Sequence, residues 1–304
     1  MLQLLQLPVC SKDATGAAPA EPIFVVEQIR RMRGGAQSHM MRSRDNDYYV
    51  VKFQGNPQGT RILVNELLGT QLAARLGLPT TPPAICYVSE ELIRLTTDLC
   101  IEIPRGRTPC RPGLHFGSRY VLDPRNVRAF DFLPNDELAS VKNVADFRGM
   151  LVFDKWTCNC DGRQTLFYQT DFNSPFRAVI IDQGFCFNAS EWSFPDAPLR
   201  GLYCSPTVYE QVRGIDDFEP WLTKLETEIN ESVLIELAKN IPREWYESNW
   251  DSLLHLLERL DRRRSRVREL LWDTWRCSRG VFPNWNCTLA QTASSSGCTH
   301  VSAP

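Results

Sequence analysis

Read from its amino end, the chain sets a Gly34-Gly35 pair after a strand-like run, Lys52 inside Val-Val-Lys-Phe and Glu66 on a helix-like run. Asp161 follows in Asn-Cys-Asp-Gly, and Asp182 closes the apolar run Ala-Val-Ile-Ile. Phosphoryl transfer needs these groups in this order: main-chain amides over the phosphates, a lysine held by a carboxylate, a carboxylate for the acceptor hydroxyl and a carboxylate for Mg²⁺. Each member has a plainer reading alone. Two glycines make a hairpin turn, a strand lysine can face water, Glu66 can border an amphipathic helix, and Asp161 can cap a helix end. Asp182 is harder to explain away, because an acid ending a buried strand needs a partner for its charge, and a bound cation is one. The two acids stand 21 residues apart, and with the lysine and glutamate before them they argue jointly.

The elements that must position these groups follow from pattern. Residues 23–29 are β-branched and read as a strand, followed by the basic turn 30–38 with its two glycines, and residues 48–53 read as a second strand. Apolar residues from Ile62 to Leu76 recur at helical spacing and stop at Gly77. After the Pro-rich break at 78–83, a strand is expected at 84–88 and one or two more within 92–103. The Pro, Gly and Arg rich stretch 104–113 reads as a lobe boundary. Beyond it the pattern predicts a helix over 144–158, a polar turn, a hairpin of 165–168 with 178–181, and helices at 218–239, 243–260 and 262–276. The expectation is therefore α+β and two-lobed: a β-rich lobe at 23–113 and a larger, mainly helical lobe at 114–280, with the ligand cleft between them. Residues 1–22 and 281–304 read as mobile tails, the former Ala, Gly, Pro and Ser rich and the latter Thr, Ser and Ala rich towards its end.

Composition narrows the function classes. With 304 residues, 43% of them hydrophobic, the chain can bury a large core, which excludes a disordered or fibrous protein. Lys plus Arg total 34 against 36 for Asp plus Glu, so the positive excess of a nucleic-acid binder is missing and nucleic acid is not expected as a partner. Arg262 to Arg268 reads as a salt-bridged helix face, since Glu258, Asp261, Glu269 and Asp273 accompany it. Only six residues are lysine, and Lys52 reads as the one inside an apolar run. Eleven cysteines without a regular frame read as reduced thiols of a cytoplasmic protein. Cys277, Cys287, Cys298 and His300 lack zinc-knuckle spacing. His39, His115 and His255 lie in unrelated contexts and suggest no catalytic dyad. Trp245, Trp250, Trp272 and Trp275 read as core and boundary aromatics. No run is long enough for a membrane span, and the leucine-rich start lacks the basic region of a secretory leader.

The run Asn65-Glu66-Leu-Leu-Gly-Thr-Gln-Leu-Ala-Ala-Arg-Leu-Gly-Leu-Pro79, with Pro82 and Pro83 after it, resembles the HipA-like kinases, as do Gly35-Ala-Gln and Phe153-Asp-Lys-Trp with Asn159-Cys-Asp161-Gly. These are bacterial serine/threonine kinases whose catalytic lobe is also similar to that of phosphatidylinositol kinases. The resemblance, over roughly 23–250, implies an ATP and Mg²⁺ dependent phosphotransferase acting on Ser or Thr hydroxyls. Gly34, Gly35, Ala36, Gln37 and Ser38 would form the phosphate loop, Lys52 would bind phosphate with Glu66 as its ion-pair partner, Asp161 would be the catalytic acid/base and Asp182 the metal ligand. The family's second metal ligand, an Asn five residues after the catalytic Asp, is replaced by Leu166. Gln164 is the nearest polar substitute and Asn159 the other candidate. That gap keeps a nucleotide-binding pseudokinase or interaction module open, and the fold relationship keeps a lipid or small-molecule kinase open. The acceptor, protein or small molecule, is not identified. The separate amino-terminal subdomain of the longer HipA toxins has no counterpart here, so toxin activity is not implied. The family's habit of phosphorylating a serine in this region implies self-limiting autophosphorylation at Ser38, whose added charge would repel ATP; an ordinary turn serine is the plainer reading of Ser38, and Thr60 is also near in sequence.

Overall fold

A computed structural model of the chain describes residues 21–120, 128–169 and 173–285; the expected tails at 1–20 and 286–304 lie outside the described residues. Strands β1 (Ile23–Arg31), β2 (His39–Ser43) and β3 (Tyr48–Lys52) form an antiparallel meander. Helix α1 (Arg61–Arg75) follows, then β4 (Pro83–Val88), the short helix α2 (Glu90–Leu95), and the hairpin of β5 (Cys100–Ile103) and β6 (Gly106–Pro109). Strand β7 (Gly113–Arg119) pairs with both β3 and β4, while β1 runs parallel to β4, which closes a barrel in the order β1-β2-β3-β7-β4.

Three expectations change here. Residues 92–95 belong to a helix, because Ser89 accepts a hydrogen bond from Leu92 N at 3.1 Å and Glu90 and Glu91 supply the negative first turn. The division expected at 113 falls on the first residue of β7, which is hydrogen-bonded into the barrel along both edges, so the strand after it sits with the barrel. Strand β2 was not signalled by its sequence, His-Met-Met-Arg-Ser; its two methionines lack β-branching, and pairing with strands on both sides makes the element.

A small sheet, ordered β10-β9-β8, contains β8 (Arg128–Phe130), β9 (Thr165–Gln169) and β10 (Arg177–Ile180); α3 (Asn135–Leu138) and α4 (Asp146–Thr157) lie between β8 and β9 in the chain. Helices α5 (Glu219–Thr227), α6 (Glu231–Lys239), α7 (Trp250–Arg263) and α8 (Val267–Cys277) complete the fold. The single helix expected over 218–239 is two, since Asn230 caps α6 by accepting from Val233 N at 3.1 Å. Phe282 and Trp285 belong to an aromatic cluster with Trp272 and Trp275, so residues 281–285 are packed structure rather than tail. The arginine run is salt-bridged as expected, through pairs such as Arg262 with Glu258 and Arg268 with Glu219, but Arg263 turns inward. One core cluster joins α1, α4 and the later helices, and a second fills the barrel. Helix α1 is therefore buried on nearly all sides, which is why its polar residues need partners.

The barrel also holds His115, wholly buried, with Gln54 N donating to Nδ1 at 3.1 Å and Arg111 O lying 2.9 Å from Nε2. Burial pushes its imidazole down from 6.5 to about 4. Between those values the unfolded chain binds the proton and the folded chain does not, so stability rises with pH through this window and is lost as pH falls from about 6.5 towards 4. Urea titrations at pH 7 and pH 4.5 should show a loss of up to about 3 kcal/mol from this residue. A folded His115→Gln variant should flatten that slope.

Candidate active site

Where the barrel meets α1 and the small sheet, a cavity of about 200 Å³ is lined by Lys52 of β3, Glu66 and Thr70 of α1, and Asp182 just beyond β10. Its walls include Val50, Phe116, Leu166 and Ile180, a surface suited to a flat apolar ring, with Thr81 and Ser118 as nearby hydroxyls.

Lys52 is the electrostatic centre. Its Nζ donates to Glu66 Oε1 in a short bond and to Asp182 Oδ1 at 2.8 Å. Burial opposes charge on the lysine, yet the two carboxylates win and hold its pKa above the ordinary value. Burial pushes the Glu66 carboxyl up to about 7 despite Lys52 beside it. At Asp182 burial again acts upward, but Lys52 Nζ overcomes it and keeps this carboxyl below its ordinary value. The neighbouring backbone is shaped to allow this. Asp182 has φ +59°, the left-handed region that costs a non-glycine residue energy and recurs at functional sites. A Cβ at Gly184 would stand 2.8 Å from Ile62 Cγ2 and 3.0 Å from Glu66 Oε1, so this position must be bare for α1 to approach. Gln183 N closes the arrangement by donating to Glu66 Oε2 at 3.0 Å.

Helix α4 is capped by Cys158, in the left-handed conformation at φ +52°, and opens into the loop bearing Asp161. Asp161 is exposed; its Oδ1 accepts from Gly162 N at 2.8 Å and its Oδ2 lies 3.5 Å from Gln164 Nε2. The loop is held from beneath by a buried ion pair that sequence reading missed: Asp154 and Arg163 form two hydrogen bonds, one of them Nε to Oδ2 at 2.9 Å. Arg163 also donates to Ile181 O at 3.1 Å and Gln183 Oε1 at 3.0 Å, joining the loop to the end of β10. The signal available was an Asp-Lys pair inside the apolar run Val152 to Trp156. Lys155 is buried too, so Lys52 is not unique in that respect.

The expected residues are only partly brought together. Lys52, Glu66, Asp182, Gln164 and Ser38 share the cavity, whose lining also takes Leu166, the residue at the family's metal-Asn position. Asn159 does not join them: Nδ2 donates to Asp154 Oδ1 at 3.0 Å and Oδ1 accepts from Asp161 N at 3.1 Å, so the amide is used inside the loop. In the β1–β2 connection, Ser38, Met32 and Arg33 line the cavity, whereas Gly34, Gly35 and Ala36 do not. Gln37, at φ +49°, turns away: its amide bonds Glu102 N at 2.7 Å, Glu102 O at 2.9 Å and the Arg31 guanidinium, tying this loop to the β5–β6 hairpin.

A family model described as HipA-like kinase matches residues 25–276. The chain belongs to this family. The HipA-like kinase has no match among curated proteins. It is similar in structure to a Helicobacter pylori proinflammatory kinase CtkA, with a TM-score of 0.52 and 14% identity, over 82% of this chain and 94% of that one. A Golgi casein kinase with Mn/ADP bound aligns with a TM-score of 0.47 and 13% identity, over 86% of this chain and 74% of that one. At such identity the likeness to CtkA shows the fold, α+β and kinase-like. Within that fold, this HipA-like kinase holds Lys52 Nζ 2.8 Å from Asp182 Oδ1.

Proposed function

We propose that the protein transfers the terminal phosphoryl group of ATP, with Mg²⁺, to a Ser or Thr hydroxyl in the cleft between a β-rich lobe and a helical lobe. The observation that carries this reading is Lys52 held between Glu66 and Asp182 at the edge of an apolar-walled cavity. Lys52 would contact the nucleotide phosphates, and Glu66 would fix its ammonium. Asp161 would orient the acceptor hydroxyl and take its proton, a role that suits an exposed carboxylate at the end of a rigid loop. The donor set fits Mg²⁺ rather than a metal caged by protein alone: among the described residues no cluster of three His, Cys, Asp or Glu could hold an ion, and Mg²⁺ ordinarily takes one or two carboxylates plus phosphate oxygens. Asp182 would hold it, with the Gln164 side-chain oxygen in the family asparagine's place; the ion supplies charge neutralisation on the phosphates.

Ser38 lines the same cavity and is nearly buried, which supports it as the site of self-limiting autophosphorylation. We assign the protein to the cytoplasm: the eight described cysteines are all free, and among the described residues no helix is long and apolar enough to cross a membrane. A nucleotide-binding module without transfer is the second reading, favoured by Leu166 in the cavity lining.

Purified protein incubated with labelled ATP, Mg²⁺ and a general protein acceptor decides between them. Transfer should appear, stop on chelation and fall on the order of 10²-fold or more in Asp161→Asn, with peptide mapping locating label on the Gly34 to Arg42 segment. Nucleotide binding without transfer to any acceptor, itself included, would favour the second reading. Transfer confined to lipid or small-molecule hydroxyls would move the assignment to that class.

A further inference from the structure

Asn65 precedes Glu66 on α1, is wholly buried, and reaches across to the segment that follows Asp182. Its Nδ2 lies 2.7 Å from Gly184 O, 3.0 Å from Cys186 O and 2.9 Å from Ala189 O, while its Oδ1 accepts from Trp192 Nε1 at 2.9 Å. The segment needs such a partner. Asp182, Phe187, Asn188, Ala189 and Trp192 all have φ between +48° and +59°, so this backbone cannot satisfy its carbonyls by regular pairing. A carboxamide supplies donors and an acceptor at one point. Aspartate would set acceptor oxygens against three carbonyls, and an apolar residue would leave those carbonyls and the indole N–H unpaired. Farther along, Lys155 Nζ donates to Pro198 O and Arg200 O, both at 2.6 Å, and Arg263 donates to Phe194 O at 3.3 Å and Asp196 Oδ1 at 2.9 Å. The segment then reaches the Asp161 loop, where Gly201 N donates to Asp161 O at 3.2 Å. The chain's own side chains thus hold the whole stretch.

We propose that Asn65 is a positioning residue that locks the segment after Asp182 to α1, so that Asp182 and the Lys52–Glu66 pair assemble as one unit. This rests on the phosphotransferase reading for its kinetic consequence but not for its structural one. Hydrogen–deuterium exchange of peptides covering 183–202, together with the Mg²⁺ dependence of transfer, tests it in Asn65→Asp, in the milder Asn65→Ser and in Trp192→Phe. In whichever Asn65 variant folds, exchange over 183–202 should rise at least about tenfold while α7 and α8 stay protected. The Mg²⁺ concentration for half-maximal rate should rise and kcat per folded molecule fall at least about tenfold, the size of one lost buried hydrogen bond of about 1.4 kcal/mol. Trp192→Phe, which leaves Asn65 Oδ1 without its donor but spares the three carbonyl contacts, should show a smaller rise in exchange than the Asn65 variants. A folded Asn65 variant with wild-type exchange and wild-type Mg²⁺ dependence would overturn the proposal. Should the wild type transfer no phosphate, the function reading falls, and exchange in Asn65→Ser still decides the positioning claim.

Discussion

Replacing Lys52 by methionine is expected to lower phosphoryl transfer by on the order of 10² to 10³-fold, the scale of losing one charged group aimed at a transition state. The same change should leave a folded protein with an altered pH profile. Removing the ammonium leaves Glu66 and Asp182 facing each other in a mostly buried site. Glu66 already has its carboxyl pushed up to about 7 by burial, and without Lys52 it rises further. It would then be protonated at neutral pH, which spares the fold an unpaired buried charge. A group whose folded pKa exceeds its unfolded value contributes stability below the unfolded pKa and loses it as pH rises through the folded one. The gap in melting temperature between Lys52→Met and wild type should therefore be smaller near pH 6, where it reflects the lost partner of Asp182, and widen towards pH 9. A constant gap over that range, measured by thermal unfolding, would mean that Glu66 is not the group that responds.

The second large effect falls on stability. Asp154 and Arg163 are about as buried as residues become, 1% and 4% exposed, and a guanidinium does not escape by losing its proton. Asp154→Ala should therefore leave a buried, uncompensated cation and cost about 3 to 5 kcal/mol, on the order of 10 °C in melting temperature for a chain of this size. Asn159 would lose its acceptor on Asp154 and Arg163 its anchor, so the Asp161 loop should loosen and activity should fall in the fraction still folded. The double change Asp154→Ala with Arg163→Met separates charge from packing. It should recover more than half of the lost stability, because the unpaired charge is gone, whereas a loss caused by the cavity alone would not recover.

Most strands and helices were legible because they are long and periodic: α1 and α4 show helical spacing that ends at Gly77 and at the Asn-x-Asp turn, and β10 is apolar after Arg177. The misses share a cause. Strand β2 exists through pairing on both edges, and β7 joins the barrel through partners far away in sequence. Phe282 and Trp285 are core residues because other aromatics stand opposite them.

Within the site, local pattern is enough to give the kinds of group and their order, since a lysine in a strand, a glutamate on the next helix and an acid ending an apolar strand can be read locally. It did not determine which of them face one another. Glu66 is buried against Lys52 rather than bordering solvent because α1 is packed between the barrel and the later helices. Packing of distant segments likewise makes Gln37 and Asn159 spend their amides on neighbouring backbone and side chains, while Gln164 and Leu166 reach the cavity. Burial and hydrogen-bond partnership are set by groups brought together from distant parts of the chain, and local pattern carries no term for them.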